Sequence, residues 1–143
     1  MNQSFHYLIM ITNALFQKKV WKEFQQAGLT PGQPKVLDYL NVHNGCIQKE
    51  VATGCQIDPA TLTGILTRME AHDLIERRYE SNNRRSCYIY LTEEGREKQK
   101  LAETVFQKCE SEVLRGLSEQ EREQFLTVMV EICKNMIDIK ELQ

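Results

Sequence analysis

The chain has few of the side chains from which metal centres and catalytic sites are built. Its five cysteines include no Cys-x-x-Cys pair, and they form no ligand cluster with the three histidines. The ligand spacing of a zinc site is therefore missing. The seven glycines form no phosphate-binding loop, and the Ser-His-Asp order of a hydrolase is absent. We expect no metal, no cofactor and no enzymatic activity.

Long apolar runs are missing as well. No segment approaches the roughly 20 consecutive apolar residues that span a bilayer, and the first residues lack the basic and apolar regions of a signal peptide. The odd number of cysteines is typical of reduced thiols in the cytosol. We therefore expect a soluble cytoplasmic protein with no membrane partner. Its 143 residues, 41% of them hydrophobic, suffice for a single domain over 1–143.

A general excess of basic charge is also absent, since the formal net charge is -2. Proteins that bind nucleic acids usually carry a basic footprint. The charge is unevenly distributed, however, because residues 93–143 hold twelve acidic and eight basic residues whereas residues 46–92 hold six of each. The second region contains the pairs Arg77-Arg78 and Arg84-Arg85. The overall charge therefore conceals a candidate basic patch.

What the sequence does contain is a series of amphipathic helices. The spacing of apolar residues predicts a first helix over about 5–26. The segment Thr30-Pro31-Gly32-Gln33 then reads as a capping box that opens a second helix, with proline at the first helical position. Two short helices follow, over about 48–54 and about 58–72, and a tight turn joins them. Such a pair is typical of a helix-turn-helix motif.

The predicted helix over about 58–72 has two contrasting faces. One is an apolar stripe that we expect to be buried, comprising Leu62, Ile65, Leu66 and Met69. The other is small, hydroxyl-bearing and cationic, comprising Pro59, Ala60, Thr61, Thr63, Gly64, Thr67 and Arg68. Threonine side chains suit base edges, arginine suits phosphates, and the helix N-terminus favours a further phosphate. The alternative is an exposed face without a DNA role, but the hairpin that follows favours DNA recognition.

A β-hairpin with a basic tip comes directly after this helix. The residue types predict a strand over 74–79, a polar turn over 80–85 and a second strand over 87–91. A hairpin in this position is the wing of a winged helix. Arg84 and Arg85 at its tip suit insertion into a narrow, A·T-rich minor groove, and a solvated charged turn is the alternative.

Further candidate DNA contacts lie beside the motif. Gln48 and Lys49 open its first helix and are candidate phosphate contacts. Arg77 and Arg78 are weaker candidates, because one of the two is as well placed to hold the sheet together.

Two more helices are predicted after the hairpin, one from a Thr92 cap to about Arg115 and one from a Ser118 capping box onward. Their apolar stripes comprise Leu101, Val105, Cys109 and Val113 in the first helix and Phe125, Met129, Ile132, Met136 and Ile139 in the second. The second stripe is heptad-like. Such stripes are usually core, but a chain of this shape has no core of its own for its first, fifth and sixth helices. We therefore expect them to pack against a second copy.

Along essentially its whole length the chain resembles the multiple-antibiotic-resistance regulator (MarR) family. The resemblance depends on the order and spacing of six segments rather than on any one of them. They are Leu29-Thr30-Pro31-Gly32-Gln33, Ala60-Thr61-Leu62-Thr63, Arg68-Met69-Glu70, Leu74-Ile75-Glu76-Arg77, Asn83-Arg84-Arg85 and Leu91-Thr92-Glu93-Glu94-Gly95.

The resemblance implies a mainly α fold with a small β wing: a winged helix-turn-helix of about six helices plus a β-hairpin, in an intertwined homodimer. It implies a DNA-binding lobe over about 30–92 and a dimerisation region over about 1–28 and 93–143. The function implied is a ligand-responsive repressor that binds double-stranded DNA at a pseudo-palindromic operator.

At three positions the chain departs from the family pattern. Asn83 stands where an acidic residue usually precedes the two wing arginines, and Gly64 where a longer, often basic residue is common. Asp73 stands where a glycine usually separates the recognition helix from the first wing strand. The first two departures affect predicted DNA contacts, so the operator preference of relatives does not transfer.

Other functional hypotheses stay open at this point. Family members commonly bind a small-molecule effector between the dimer region and the DNA-binding lobe, and here we expect an aromatic or anionic compound at Phe5, Leu8, Tyr39 and His43. A thiol-based redox sensor would use Cys46 and Cys87, since these lie on elements that neighbour each other in winged-helix sheets, although inert buried thiols are the commoner case. A winged-helix protein-interaction module without DNA binding is the third alternative.

Overall fold

Six helices and a small antiparallel sheet follow one another along the chain. The computed structural model describes residues 3–138 and 140, apart from the side chains of residues 83–85. The elements are α1 (Phe5–Gln26), α2 (Gln33–Val42), β1 (Cys46–Ile47), α3 (Gln48–Cys55), α4 (Pro59–Ala71), β2 (Ile75–Glu80), β3 (Asn83–Leu91), α5 (Glu93–Val113) and α6 (Glu119–Lys134). The predicted order of helices and hairpin is confirmed. None of the helices described is long and apolar enough to cross a membrane.

The sheet has the strand order β1-β3-β2, with both pairs antiparallel. Ile75 of β2 lies opposite Leu91 of β3, and Cys46 of β1 lies opposite Ile89. Because side chains alternate across a strand, Ile75, Ile89 and Leu91 share the face that packs against the helices, and all three are buried.

The helices of the winged-helix lobe surround an apolar core. All four residues predicted for the inner face of α4 are buried: Leu62, Ile65, Leu66 and Met69. They meet buried side chains of α2 and α3, comprising Val36, Leu37, Leu40, Val51 and Ala52. Burial of one such leucine contributes about 1.5–3 kcal/mol, so this core fixes how α4 is presented to solvent.

Capping residues set the helix starts as the sequence predicts. The Asp58 carboxylate accepts hydrogen bonds from the backbone N–H groups of Ala60 and Thr61 at the start of α4. The Thr92 hydroxyl accepts from Gly95 N–H at the start of α5. Ser118 and Glu121 form a reciprocal capping box at the start of α6.

The second helix begins two residues later than predicted, at Gln33 rather than at Pro31. Residues 30–32 form a turn, and Gly32 has a φ of +86°, which a helix cannot accommodate. The predicted interaction of Gln33 is nevertheless present, because its Oε1 accepts a hydrogen bond from Thr30 N–H at 3.1 Å. Pro34, rather than Pro31, occupies the first turn of α2.

The wing is longer and its turn tighter than predicted. Residues 81–82 alone form the turn, so β2 extends to Glu80 and β3 begins at Asn83. Glu80 pairs with Asn83 and Tyr79 with Cys87, so a bulge places three more residues on β3 than on β2. Arg84 and Arg85 therefore follow the tip within β3, and their side chains lie outside the described part of the structure.

The terminal helices bury only part of their apolar residues within the chain. Val105 and Cys109 of α5 are buried against α1, where Val20 and Phe24 face them. Leu101 and Val113, predicted to belong to the same inward stripe, are 41% and 50% exposed.

In α6 the predicted stripe is at most half-buried within the chain. None of its residues, all of which the structure describes, is buried. Because α6 ends at Lys134, Met136 lies beyond the helix, and Ile139 lies outside the described residues.

Candidate nucleic-acid interface

The outer face of α4 is exposed to solvent. All seven side-chain positions predicted for this face are exposed, namely Pro59, Ala60, Thr61, Thr63, Gly64, Thr67 and Arg68. The buried stripe on the opposite side holds the helix against α2, α3 and the sheet. The structure thus presents these residues together on one surface.

Hydrogen bonds fix two of the threonine side chains on this face. Thr63 Oγ1 donates to the Pro59 carbonyl at 3.0 Å, and Thr67 Oγ1 donates to the Thr63 carbonyl at 2.8 Å. Gln48 Nε2, from the first turn of α3, donates to Thr63 Oγ1 at 2.9 Å. Gln48 therefore positions Thr63, a role that the sequence did not reveal because fifteen residues separate the two.

The N-terminus of α4 is already capped by a side chain of its own. A phosphate was expected at the N-terminus of α4, but the Asp58 carboxylate already accepts from Ala60 N–H at 3.1 Å and from Thr61 N–H at 3.2 Å. Pro59 has no N–H to offer. The first turn therefore carries a negative charge in the place where an anion was expected.

The two arginines of β2 serve the fold. Arg77 Nε lies 3.2 Å from the Glu70 carboxylate, which ties β2 to α4. Arg78 Nε donates to Glu76 at 2.9 Å, and its guanidinium lies 4.1 Å from the centroid of the Tyr90 ring. Both arginines therefore stabilise the fold, whereas the sequence analysis expected this role for only one of them.

Pairing of the acidic residues leaves two cations available on the same side. Glu50 caps α3 by accepting from Ile47 N–H, and Glu80 accepts from the Tyr88 hydroxyl. Lys49 and Arg68 are both exposed, and neither takes part in an ion pair among the side chains described. The balanced charge of residues 46–92 thus conceals free cations next to the α4 face.

Comparisons with known proteins identify this arrangement. A model of the MarR family matches residues 29–87. The HTH-type transcriptional regulator BilQ of Clostridium symbiosum is 26% identical over 134 residues, which cover 94% of this chain and 93% of BilQ. The HTH-type transcriptional repressor MdtR of Bacillus subtilis is 33% identical over 85 residues, which cover 57% of this chain and 55% of MdtR.

The fold of a solved structure agrees. Staphylococcus aureus MepR in complex with DNA superposes with a TM-score of 0.83 over 94% of this chain and 99% of MepR, at 24% identity. The winged-helix lobe thus matches the MarR family over residues 29–87. The chain has the fold of a winged-helix transcriptional regulator, and the curated relatives named here are transcriptional regulators.

The two cysteines considered for redox sensing, Cys46 and Cys87, are poorly arranged for a disulfide. Cys46 lies opposite Ile89, so Cys87 is its diagonal neighbour on the same face. Diagonal Cα atoms lie about 7–8 Å apart, beyond the usual disulfide range of about 4.4–6.8 Å. Burial also raises the pKa of the Cys46 thiol to about 11, which leaves little reactive thiolate near neutral pH. The redox alternative is therefore not favoured.

The residues proposed for effector binding do not line either of the two cavities described below. The Tyr39 and His43 rings stack with centroids 4.5 Å apart, and Tyr39 also packs against Gly54, where an added Cβ would meet its ring at 2.0 Å. Phe5 and Leu8 lie exposed on the first turns of α1. Effector binding at these four residues stays a prediction.

A cavity of about 650 Å³ lies between α1, α5 and the winged-helix lobe. Its walls include Trp21, Phe24 and Phe106, and Lys18 and Lys35 also line it. Two residues of α4 complete it, Thr61 and Ile65. Sequence reasoning missed this cavity because its walls come from four separate elements, although the aromatic residues of α1 gave a partial signal.

A second cavity of about 540 Å³ lies between α2 and α5, on the other side of Phe106. It is lined by three carboxylates, from Asp38, Glu103 and Glu110, together with Gln99 and other residues. Gln99 Nε2 lies 3.4 Å from Asp38 Oδ1. Burial is the main reason that the pKa of Asp38 lies above its ordinary value. This second cavity is therefore acidic, whereas the larger cavity is lined by two lysines.

Proposed function

We propose that this chain is a MarR-family regulator that binds a pseudo-palindromic DNA site as a homodimer and represses transcription until an effector releases it. The observation that supports this most strongly is the exposed α4 face, with its fixed threonines and the free cations Lys49 and Arg68 beside it. An enzymatic role has no comparable support, because the curated relatives are named as transcriptional regulators. From this function we infer that the protein acts in the cytoplasm.

The second copy covers the apolar surface of the terminal helices. Phe5, Met10 and Leu15 on α1, and Leu126 and Val128 on α6, each have more than half of their surface exposed in the single chain. Contiguous apolar patches of this kind mark interfaces. A two-fold dimer of these helices places two α4 helices about 34 Å apart, one turn of DNA.

In this dimer α4 enters the major groove and the wing reaches the adjacent minor groove. Thr61, Thr63 and Thr67 contact base edges, while Pro59 and Ala60 allow the helix start to approach closely. Lys49 and Arg68 contact phosphates, and Gln48 holds Thr63 in place. Arg84 and Arg85 contact the DNA in the minor groove.

The test of these contacts is the affinity for a selected duplex as a function of salt. Arg68→Ala and Lys49→Ala should each weaken binding about tenfold and reduce the salt slope by about 1, because each removes one phosphate contact. Lys100→Ala, which removes an exposed cation from α5, is the matched control and should bind as wild type. Charge reversal of Arg84 and Arg85 tests the wing, since unchanged binding would contradict its role and favour the protein-interaction alternative.

For the effector, the cavity of about 650 Å³ offers a better site than the four residues expected from the sequence. Aromatic walls and the two lysines suit an anionic aromatic compound. Because Thr61 and Ile65 of α4 line the same cavity, an occupant that prefers one position of α4 shifts the population of DNA-competent dimers.

Trp21 provides the measurement, since it is the single tryptophan of the chain. Titration with a panel of hydroxybenzoates and aryl carboxylates should change its fluorescence and release DNA over the same concentration range. Lys35→Gln should weaken both effects, whereas Lys100→Gln should change neither. Release of DNA without any change in Trp21 fluorescence would place the effector elsewhere, for example at Tyr39 and His43.

A further inference from the structure

The glycine in the middle of α4 differs from every other glycine of the chain. All seven glycines lie in the described part, and four of them have a positive φ that favours glycine: Gly28, Gly32, Gly45 and Gly116. At Gly54 and Gly95 an added Cβ would meet Tyr39 at 2.0 Å and the Leu74 carbonyl oxygen at 1.9 Å. Gly64 has neither a positive φ nor any heavy atom within 4 Å of an added Cβ.

Gly64 is therefore not required by the folded chain and weakens it. It is the sixth residue of the 13-residue helix α4, where glycine destabilises a helix by about 1 kcal/mol relative to alanine. A residue that costs stability and has no internal role points to a molecule that approaches it from outside.

The surroundings of Gly64 define the shape of that approach. Its helical neighbours at i−4, i−3, i+3 and i+4 are Ala60, Thr61, Thr67 and Arg68, all exposed. The Thr67 side chain is held by its hydrogen bond to the Thr63 carbonyl. Gly64 is thus a depression on the α4 face, framed by short side chains with methyl groups and by one cation.

We propose that Gly64 determines specificity by admitting the C5-methyl group of one thymine in each half-site. This inference rests on the proposed DNA-binding function. Among groove atoms, the thymine methyl is the group that makes apolar contacts with alanine and threonine side chains. An added Cβ at residue 64 occupies the space that the methyl group needs, so it excludes thymine there without disturbing the fold.

The experiment combines Gly64→Ala with removal of single thymine methyl groups from the DNA. A duplex selected by the wild-type protein is prepared with each thymine replaced in turn by deoxyuridine, and Kd is measured for both proteins. We expect Gly64→Ala to bind the thymine duplex about tenfold more weakly, the effect of about 1.4 kcal/mol. At one thymine per half-site, replacement by deoxyuridine should weaken binding by the wild-type protein. Gly64→Ala combined with deoxyuridine at that position should lower the affinity no more than either change alone.

Thermal unfolding supplies the internal control, because Gly64→Ala should raise the Tm while lowering DNA affinity. A loss of affinity therefore cannot come from a damaged fold. If Gly64→Ala binds the selected duplex within twofold of wild type, or if its effect adds to that of every deoxyuridine, the role of Gly64 is wrong while the proposed function stands. If the wild-type protein selects no duplex at all, both are wrong.

Discussion

The helices of the DNA-binding lobe bury their apolar faces within the chain, whereas α6 leaves all of its residues at least partly exposed. The sequence patterns of the two regions are alike, since each shows an apolar stripe with helical spacing. The difference is where the complementary surface lies. For α4 it is supplied by α2, α3 and the sheet, and for α6 we propose that a second copy supplies it. An amphipathic pattern therefore predicts that one face of a helix is buried. It does not show whether the same chain or a second copy buries that face.

The largest effect should come from a change in the core of the lobe. Leu66 is fully buried, so Leu66→Ala should lower the free energy of unfolding by about 3 kcal/mol through lost burial and a residual cavity. Urea denaturation measures this. The matched control is Leu126→Ala on α6, whose side chain is 57% exposed and whose effect should depend on protein concentration. If both substitutions lowered the free energy of unfolding equally and independently of protein concentration, the proposed difference between the lobe core and α6 would be wrong.

A change on α6 should act on assembly. Phe125 is 47% exposed in the single chain, and Phe125→Asp should weaken the dimer by about 2 kcal/mol, because a charge then replaces an aromatic side chain at the proposed interface. Sedimentation equilibrium measures the dimer dissociation constant. A dimer of unchanged affinity would show that α6 is covered by something other than a second copy.

A smaller effect is expected where the lobe meets DNA. Asp58→Asn retains an oxygen that accepts from Ala60 and Thr61 N–H but removes the negative charge. Asparagine is as good a helix cap as aspartate, so stability should stay nearly constant. DNA affinity should rise about threefold at low salt and less at high salt, since a repulsion between the carboxylate and phosphates is lost. Fluorescence anisotropy at two salt concentrations measures this, and weaker binding would contradict it.

The smallest effect concerns the junction between α4 and the wing. Asp73 adopts a φ of +58°, which is strained for a residue with a Cβ. Asp73→Gly should raise the free energy of unfolding by about 0.5 kcal/mol, because relief of this strain exceeds the added flexibility of the unfolded chain. Urea denaturation at a fixed protein concentration measures this. A decrease in stability would mean that Asp73 makes a contact that outweighs its backbone strain.

Much of the fold was predictable because local chemistry determines it. The caps at Asp58, Thr92 and Ser118 and the inner face of α4 follow from spacing within a few residues. Asp73 was also noted as a departure from a usual glycine, and its positive φ gives that departure a physical meaning.

The features that the sequence did not reveal depend on contacts between distant segments. The hydrogen bond from Gln48 to Thr63 joins two helices, and the larger cavity is formed by side chains from α1, α2, α4 and α5 together with the turn before α4. The late start of α2 follows from the backbone of Gly32, where an added Cβ would also meet Ile65 at 2.5 Å. Contacts between distant segments produce no periodic pattern in the sequence, so they could not be predicted from it.

The central claim is that two copies of the exposed α4 face read one DNA site. Selection of bound duplexes from a random pool at moderate salt tests it most directly. We predict enrichment of a pseudo-palindrome whose half-site centres lie about 10 base pairs apart, and loss of that enrichment for the double variant Arg68→Ala/Thr61→Ala. Failure to enrich any such sequence, or equal enrichment by the double variant, would contradict the account.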